Sequence, residues 1–99
     1  MTEPEDCTTM AEVRAGIDEL DSQIVKLLAR RFRYVDAAAR VKPNRGAIRD
    51  EARKAEVIAR VREAARAEGA PDELIGQLYD QMIEGAIAIE HAHFDDRGL

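Results

Sequence analysis

Residues 9–41, TMAEVRAGIDELDSQIVKLLARRFRYVDAAARV, decide the fold. Thr9-Met10-Ala11-Glu12 is a capping-box pattern, in which the Thr hydroxyl and the Glu carboxylate each satisfy a free backbone N–H at a helix start. Nothing stronger than the isolated Gly16 interrupts the chain until Pro43, and proline disfavours helical geometry in the residue before it. One uninterrupted helix ending near Val41 or Lys42 is expected. Apolar residues recur along it at Val13, Ile17, Leu20, Ile24, Leu27, Val35 and Ala38, and Arg31 stands in the one gap. Such a helix would be about 50 Å long, too long for the rest of a small chain to cover. A second copy of the chain is the expected cover.

Downstream, Lys42-Pro43-Asn44-Arg45-Gly46-Ala47 reads as a loop. Helicity resumes around Ile48 to Asp50 and continues to about Glu68, where Gly69 is the stop signal. Pro71 suits the first turn of a third helix that carries on to about Phe94. The expectation is an all-α chain of one long and two shorter helices. Its 99 residues suffice for a single domain, 1–99, with 1–8 a flexible N-terminal segment.

The totals narrow the function. Charged residues make up 35% of the chain and apolar ones 45%, with no Trp, a balance that favours helices and not a β fold. A net charge of −5 argues against nucleic-acid or anionic-membrane partners, which need a concentrated basic field. An anionic small molecule stays open, because a pocket responds to local charge. With Cys7 the sole cysteine, neither an intrachain disulfide nor a cysteine metal cage can form. The acidic, polar N-terminus and the lack of a long apolar run point to a cytoplasmic protein without a membrane span.

Ionisable residues on the apolar stripes are the candidate site. In the second helix, Val57, Val61 and Ala64 or Ala65 form a stripe whose preceding turn carries Arg53. In the third, Tyr79, Ile83 and Ala86 or Ile87 lead to Glu90. Lys42 lies within roughly 20° of Arg31 around the first helix. Snorkelling or internal pairing explains any one such residue. Three inward cations against one acid are harder to explain, because each unpaired buried ion costs several kcal/mol. The surplus calls for an anion with about two negative charges. Arg14 lies about 25 Å along the helix from Arg31, so it would reach a ligand only in the other subunit's pocket; periodicity alone favours a solvated residue there. His91 and His93, adjacent to Glu90 and two residues apart, lack the i, i+4 geometry of helical zinc ligands, so no metal is expected. The Arg- and Glu-rich run from Arg49 to Glu68 reads as a solvated face laced by i, i+4 pairs.

Taken together, Val13-Arg14-x-x-Ile17-Asp18-x-Leu20-Asp21, Leu27-Leu28-Ala29-Arg30-Arg31, Lys42 and Ile48-Arg49-Asp50-x-x-Arg53 resemble the all-helical (AroQ) class of chorismate mutases. The resemblance runs from about Thr9 to Phe94. Pro4-Glu5-Asp6-Cys7-Thr8, with the Lys42 to Arg53 spacing, looks most like the branch containing isochorismate-pyruvate lyase. The resemblance implies an intertwined homodimer of three-helix chains that binds a dicarboxylate, chorismate or isochorismate, without a cofactor. Arg31 and Arg53 would clamp the carboxylates, with Arg14 arriving from the other chain. Lys42 would hold a carboxylate and the ether oxygen, Asp50 the ring hydroxyl, and Ala38, Ile83 and Ile87 the apolar walls.

Glu90 and Lys54 depart from the family pattern. Many members carry glutamine at the position of Glu90, where it donates to the ether oxygen; a carboxylate donates only when protonated. Lys54 stands where an acid is frequent, and Ala86 replaces a common polar contact with substrate. The expected activity is rearrangement of chorismate to prephenate, since Glu90 departs from the lyase pattern. The alternatives are salicylate-forming isochorismate-pyruvate lyase, a 4-amino-4-deoxychorismate mutase and, from another class, a non-catalytic helical dimerisation or regulatory module.

Overall fold

In the computed structural model, which describes residues 1–96, helix α1 spans Met10–Val41, α2 Glu51–Ala67 and α3 Asp72–Asp96. Two short 3-10 helices add to them: Pro4–Asp6, inside the segment expected to be flexible, and Arg45–Ala47, inside the expected loop. The Thr9 hydroxyl accepts from the Glu12 N–H at 3.2 Å, while the Glu12 carboxylate reaches back to Thr8, accepting from its N–H at 3.4 Å and its hydroxyl at 3.0 Å. The capping box is thus displaced by one residue at its carboxylate arm. The Thr8 hydroxyl, with that of Thr9, holds the Glu12 carboxyl below the usual carboxylate range.

Helix α1 stops where Pro43 removes the next donor; the Lys42 N–H closes the last turn on the Ala38 carbonyl at 2.9 Å. Asp50 then caps α2, its carboxylate accepting from the Arg53 N–H at 2.9 Å. At the far end the Ala70 N–H donates to the Ala65 carbonyl at 2.8 Å, and the Gly69 N–H to the Arg66 carbonyl at 3.2 Å. This bonding pair is a Schellman stop, which needs the positive φ of 73° that Gly69 supplies. Asp72 and Glu73 occupy the first turn of α3, where the helix dipole favours negative charge.

The chain divides into two compact units, Met1–Tyr34 and Val35–Leu99. In the first, Met1, Thr2, Pro4 and Cys7 lie against the start of α1 and line a cavity of about 180 Å³ with Val13, Gly16, Ile17 and Leu20. The rest of this unit leaves the stripe uncovered: Ile17, Leu20, Ile24 and Leu27 are all exposed. The inward orientation read from periodicity is therefore not realised in the single chain, where the N-terminal segment lies beside Ile17 and Leu20 without burying them.

In the second unit α2 and α3 pair as a hairpin, and the core joins Ala39, Ile48, Ala65, Ala86 and Phe94. Phe94 is the one large side chain among the described residues that is fully buried, a burial that contributes about 1.5–3 kcal/mol. Small residues elsewhere let the helices approach closely. At Gly76 a β-carbon would come within 3.0 Å of the Arg62 stem, so the glycine makes room for that side chain. Among the described residues no helix is long and apolar enough to cross a membrane.

Gly69→Ala is expected to destabilise the fold by about 1–2 kcal/mol, the cost of a β-carbon in the left-handed region. No neighbouring atom lies within 4 Å of the added carbon to alter that figure, and urea unfolding measures it.

Candidate active site

Lys42, the first residue beyond α1, sends its ammonium to α3. Its Nζ donates to Glu90 Oε2 at 2.9 Å and Oε1 at 3.2 Å, and to the Ile48 carbonyl at 3.3 Å. The Glu90 side chain is only 6% exposed and that of Lys42 27%. Glu90 follows Ala86 by one turn on the buried face of α3, as the stripe predicted. A buried carboxylate without a partner costs several kcal/mol, so the pair holds the end of α1 and the buried face of α3 together. With both oxygens accepting from Lys42, Glu90 is an acceptor in this state.

The inward cation of α2 is not the expected one. Arg53 is 55% exposed on its side chain and donates to Glu56, one turn on, at 2.6 Å. Lys54 occupies the seam instead, and its ammonium reaches Asp80 and Glu84 of α3, each at 2.8 Å. Stepping back four residues from Val57 selected Arg53; the observed seam of Lys54, Val57, Ile58, Val61 and Ala65 is turned by one position from that projection. Asp80 above all, then Glu84, raises the Lys54 pKa. Lys54 is thus a cation that two acids of α3 neutralise.

Two further cations tie the α1–α2 connection to α3, and neither was read from the sequence as a site residue. Arg45 donates to the His91 carbonyl at 3.5 Å, lies 3.3 Å from His91 Nδ1, and pairs with Asp95. Arg49 grips Glu84 with both terminal nitrogens, at 2.7 and 3.0 Å, and also meets Glu51 at 2.7 Å. For Arg49 the available signal was Glu84, one turn beyond Asp80 on the face of α3 that carries Ile83 and Ile87; nothing in the spacing pointed to the partners of Arg45. The Arg- and Glu-rich run is only partly a solvated face. Arg60 makes the expected i, i+4 bridge to Glu56, whereas Arg62 and Arg66 cross to Asp72.

Hydrogen bonds from Arg49, then from Lys54, lower the Glu84 carboxyl from its ordinary 4.5 to about 2, and Glu84 in turn raises the Arg49 pKa. The remaining predicted residues are distributed between the units. Arg14 is exposed and Arg31 partly buried on the portion of α1 in the first unit. In the second, Ala38, Ile83 and Ile87 are partly buried and Ala86 buried, while Asp50 is exposed and engaged as the α2 cap. Arg53, expected to face inward beside Lys42, pairs at the surface with Glu56 instead, while Lys42 pairs with Glu90. His91 and His93 diverge, the first toward Arg45 and the second toward Asp36 at 3.5 Å.

The family described as chorismate mutase type II matches residues 13–91. Isochorismate pyruvate lyase of Pseudomonas aeruginosa is 38% identical over 88 residues, which cover 89% of this chain and 87% of that protein.

Glu84 also sets a pH dependence of stability. Its folded pKa lies below the unfolded value, so the stabilisation is present above pH 4.5 and is lost as pH falls toward 2. Glu84→Gln is expected to lower the thermal midpoint at neutral pH, the gap from wild type closing over that acidic window in a calorimetric series.

Proposed function

The chain belongs to the chorismate mutase type II family, and from that premise we propose that it rearranges chorismate to prephenate in a cationic pocket completed by a second copy of the chain. The observation that carries the reading is the Lys42 ammonium. It is partly exposed, oriented by Ile48 and Glu90, and one to two turns of α3 from Ile83, Ala86 and Ile87. A pericyclic rearrangement needs no nucleophile, metal or redox cofactor. It gains from holding the enolpyruvyl side chain over the ring and from fixed positive charge where the breaking C–O bond becomes polar.

In this reading Arg31 and Arg53 hold the substrate carboxylates, to which a planar guanidinium is matched in two bonds. Arg53 is available for the task because a one-turn surface contact to Glu56 is weak and easily exchanged. Lys42 stabilises the ether oxygen as it gains negative charge. Asp50 caps α2 with one oxygen and keeps the other for the ring hydroxyl. Ala38, Ala86, Ile83 and Ile87 form the walls. The exposed stripe of α1 supports a homodimer, in which Arg14 enters the partner's pocket.

A second reading has a specific observation behind it, because the Pseudomonas relative is named a lyase. The same cations would serve elimination of pyruvate from isochorismate. Offering the purified protein chorismate, isochorismate and 4-amino-4-deoxychorismate, and following prephenate, salicylate with pyruvate, and the amino product, decides among them. Turnover of none of the three would favour a non-catalytic helical module.

Lys42→Ala is expected to reduce kcat/KM by about 10²–10³-fold, the usual loss of one preorganised charge at a developing oxyanion. Circular dichroism of that variant, and of Lys42→Ala/Glu90→Gln, separates lost chemistry from the strain of an unpaired buried acid. Mixing inactive Arg14→Ala and Lys42→Ala chains through an unfolding and refolding step should restore about one quarter of the wild-type activity, because half the dimers then carry one intact site. Failure to recover any activity would place Arg14 outside the shared site.

A further inference from the structure

The connection between α1 and α2 is short, and its residues alternate between two anchors. Ile48 puts its side chain into the core, 3% exposed, while its carbonyl accepts from Lys42 Nζ. Arg49, the next residue, turns outward and is held on α3 by both oxygens of Glu84. Glu84 is itself fixed, since Lys54 binds it from α2 and is steadied by Asp80. A peptide unit pinned on one side by a buried side chain and on the other by a two-bond guanidinium clamp has its carbonyl direction set.

Resting on the mechanism proposed above, we propose that Glu84 is a positioning residue for Lys42. By holding Arg49 it aims the Ile48 carbonyl, and that carbonyl and Glu90 together locate the ammonium. Lysine requires such support more than arginine does, because its charge sits on a flexible four-carbon stem with freely rotating donors. Glu90 alone would let the ammonium swing about a single carboxylate, whereas acceptors from two different elements fix its place. Glu84 does not touch substrate in this account. It acts through Arg49, at a distance from the reacting atoms.

The competing explanation is an ordinary surface ion pair. Isolated exposed pairs contribute little, but a bidentate guanidinium on a carboxylate shared with a second, mostly buried cation is a network and holds its geometry. A purely structural pair would change thermal stability and leave the chemistry of Lys42 alone. The positioning role predicts a change at Lys42 itself.

The test compares Glu84→Gln, Arg49→Ala and their combination with wild type and with Asp72→Asn, which removes a comparable ion pair at the opposite end of the α2–α3 hairpin. The ε-carbon signal of Lys42, read by NMR in ligand-free protein labelled at lysine, should move in the first three and stay in place in Asp72→Asn. With the substrate that wild type turns over, kcat should fall roughly tenfold or more, as displacement of a reacting group does, with KM changing less. The double variant should be no worse than the worse single, and Glu84→Asp, which keeps the acceptors, should recover part of the loss. An unmoved Lys42 signal in Glu84→Gln overturns the proposal whatever happens to kcat, and so does unchanged kcat in an active background. If wild type turns over no substrate the functional reading fails, and the NMR comparison still decides the positioning role.

Discussion

A buried carboxylate has to find a cation, and Glu90 finds Lys42. The organisation of the second unit follows from that requirement. Glu90 sits on the face of α3 that also carries Ala86 and Phe94, so its partner must come from an element that ends beside this face. Lys42 meets the condition because α1 stops at Val41 and the proline after the lysine turns the chain away. An apolar pair of similar volume would hold the elements together at least as well, and a half-buried ion pair is poor evidence of selection for stability. The pair also leaves the ammonium partly exposed at the edge of a small core.

Arg45 and Arg49 of the α1–α2 connection, with Lys54 of α2, repeat the arrangement along the same helix. Along α3, Asp80, Glu84, Glu90 and Asp95 receive Lys54, Arg49, Lys42 and Arg45 in turn. The helix acts as an acidic rail, and the connection is laid along it. Its apolar fastening is the single side chain of Ile48. Charge therefore does what a longer loop with its own core would otherwise do, which allows the segment from Lys42 to Asp50 to be both short and well placed.

How much of this could be read in advance depended on the range of the interaction. Helix ends were legible because their causes are local: the hydroxyl of Thr9, the ring of Pro43 and the positive φ at Gly69 act within a few residues of the boundaries they set. Glu90 was legible too, because a helical stripe extrapolates well over one turn. Arg53 was not, because at the first turn of α2 a shift of one position exchanges a solvent-facing arginine for the inward Lys54. The Arg49 and Glu84 contact joins residues 35 apart, and helix periodicity carries no information about which charged positions of two helices will meet. The acidic balance of the whole chain carried no information on this point, since these charges are arranged locally along one helix.

The first unit presents the complementary problem. Its long apolar stripe has the regularity of a packed surface, yet Ile17, Leu20, Ile24 and Leu27 are exposed in the single chain. Four large aliphatic side chains on one helix face are a substantial apolar patch for a chain of 99 residues, and burying each is worth about 1.5–3 kcal/mol. On the dimeric reading the same burial that stabilises the assembly also delivers Arg14 to a neighbouring pocket. Assembly and anion binding then share one helix. Such coupling suits chemistry that needs only orientation and fixed charge, because an active site built from rigid helices of two chains is organised before the substrate arrives.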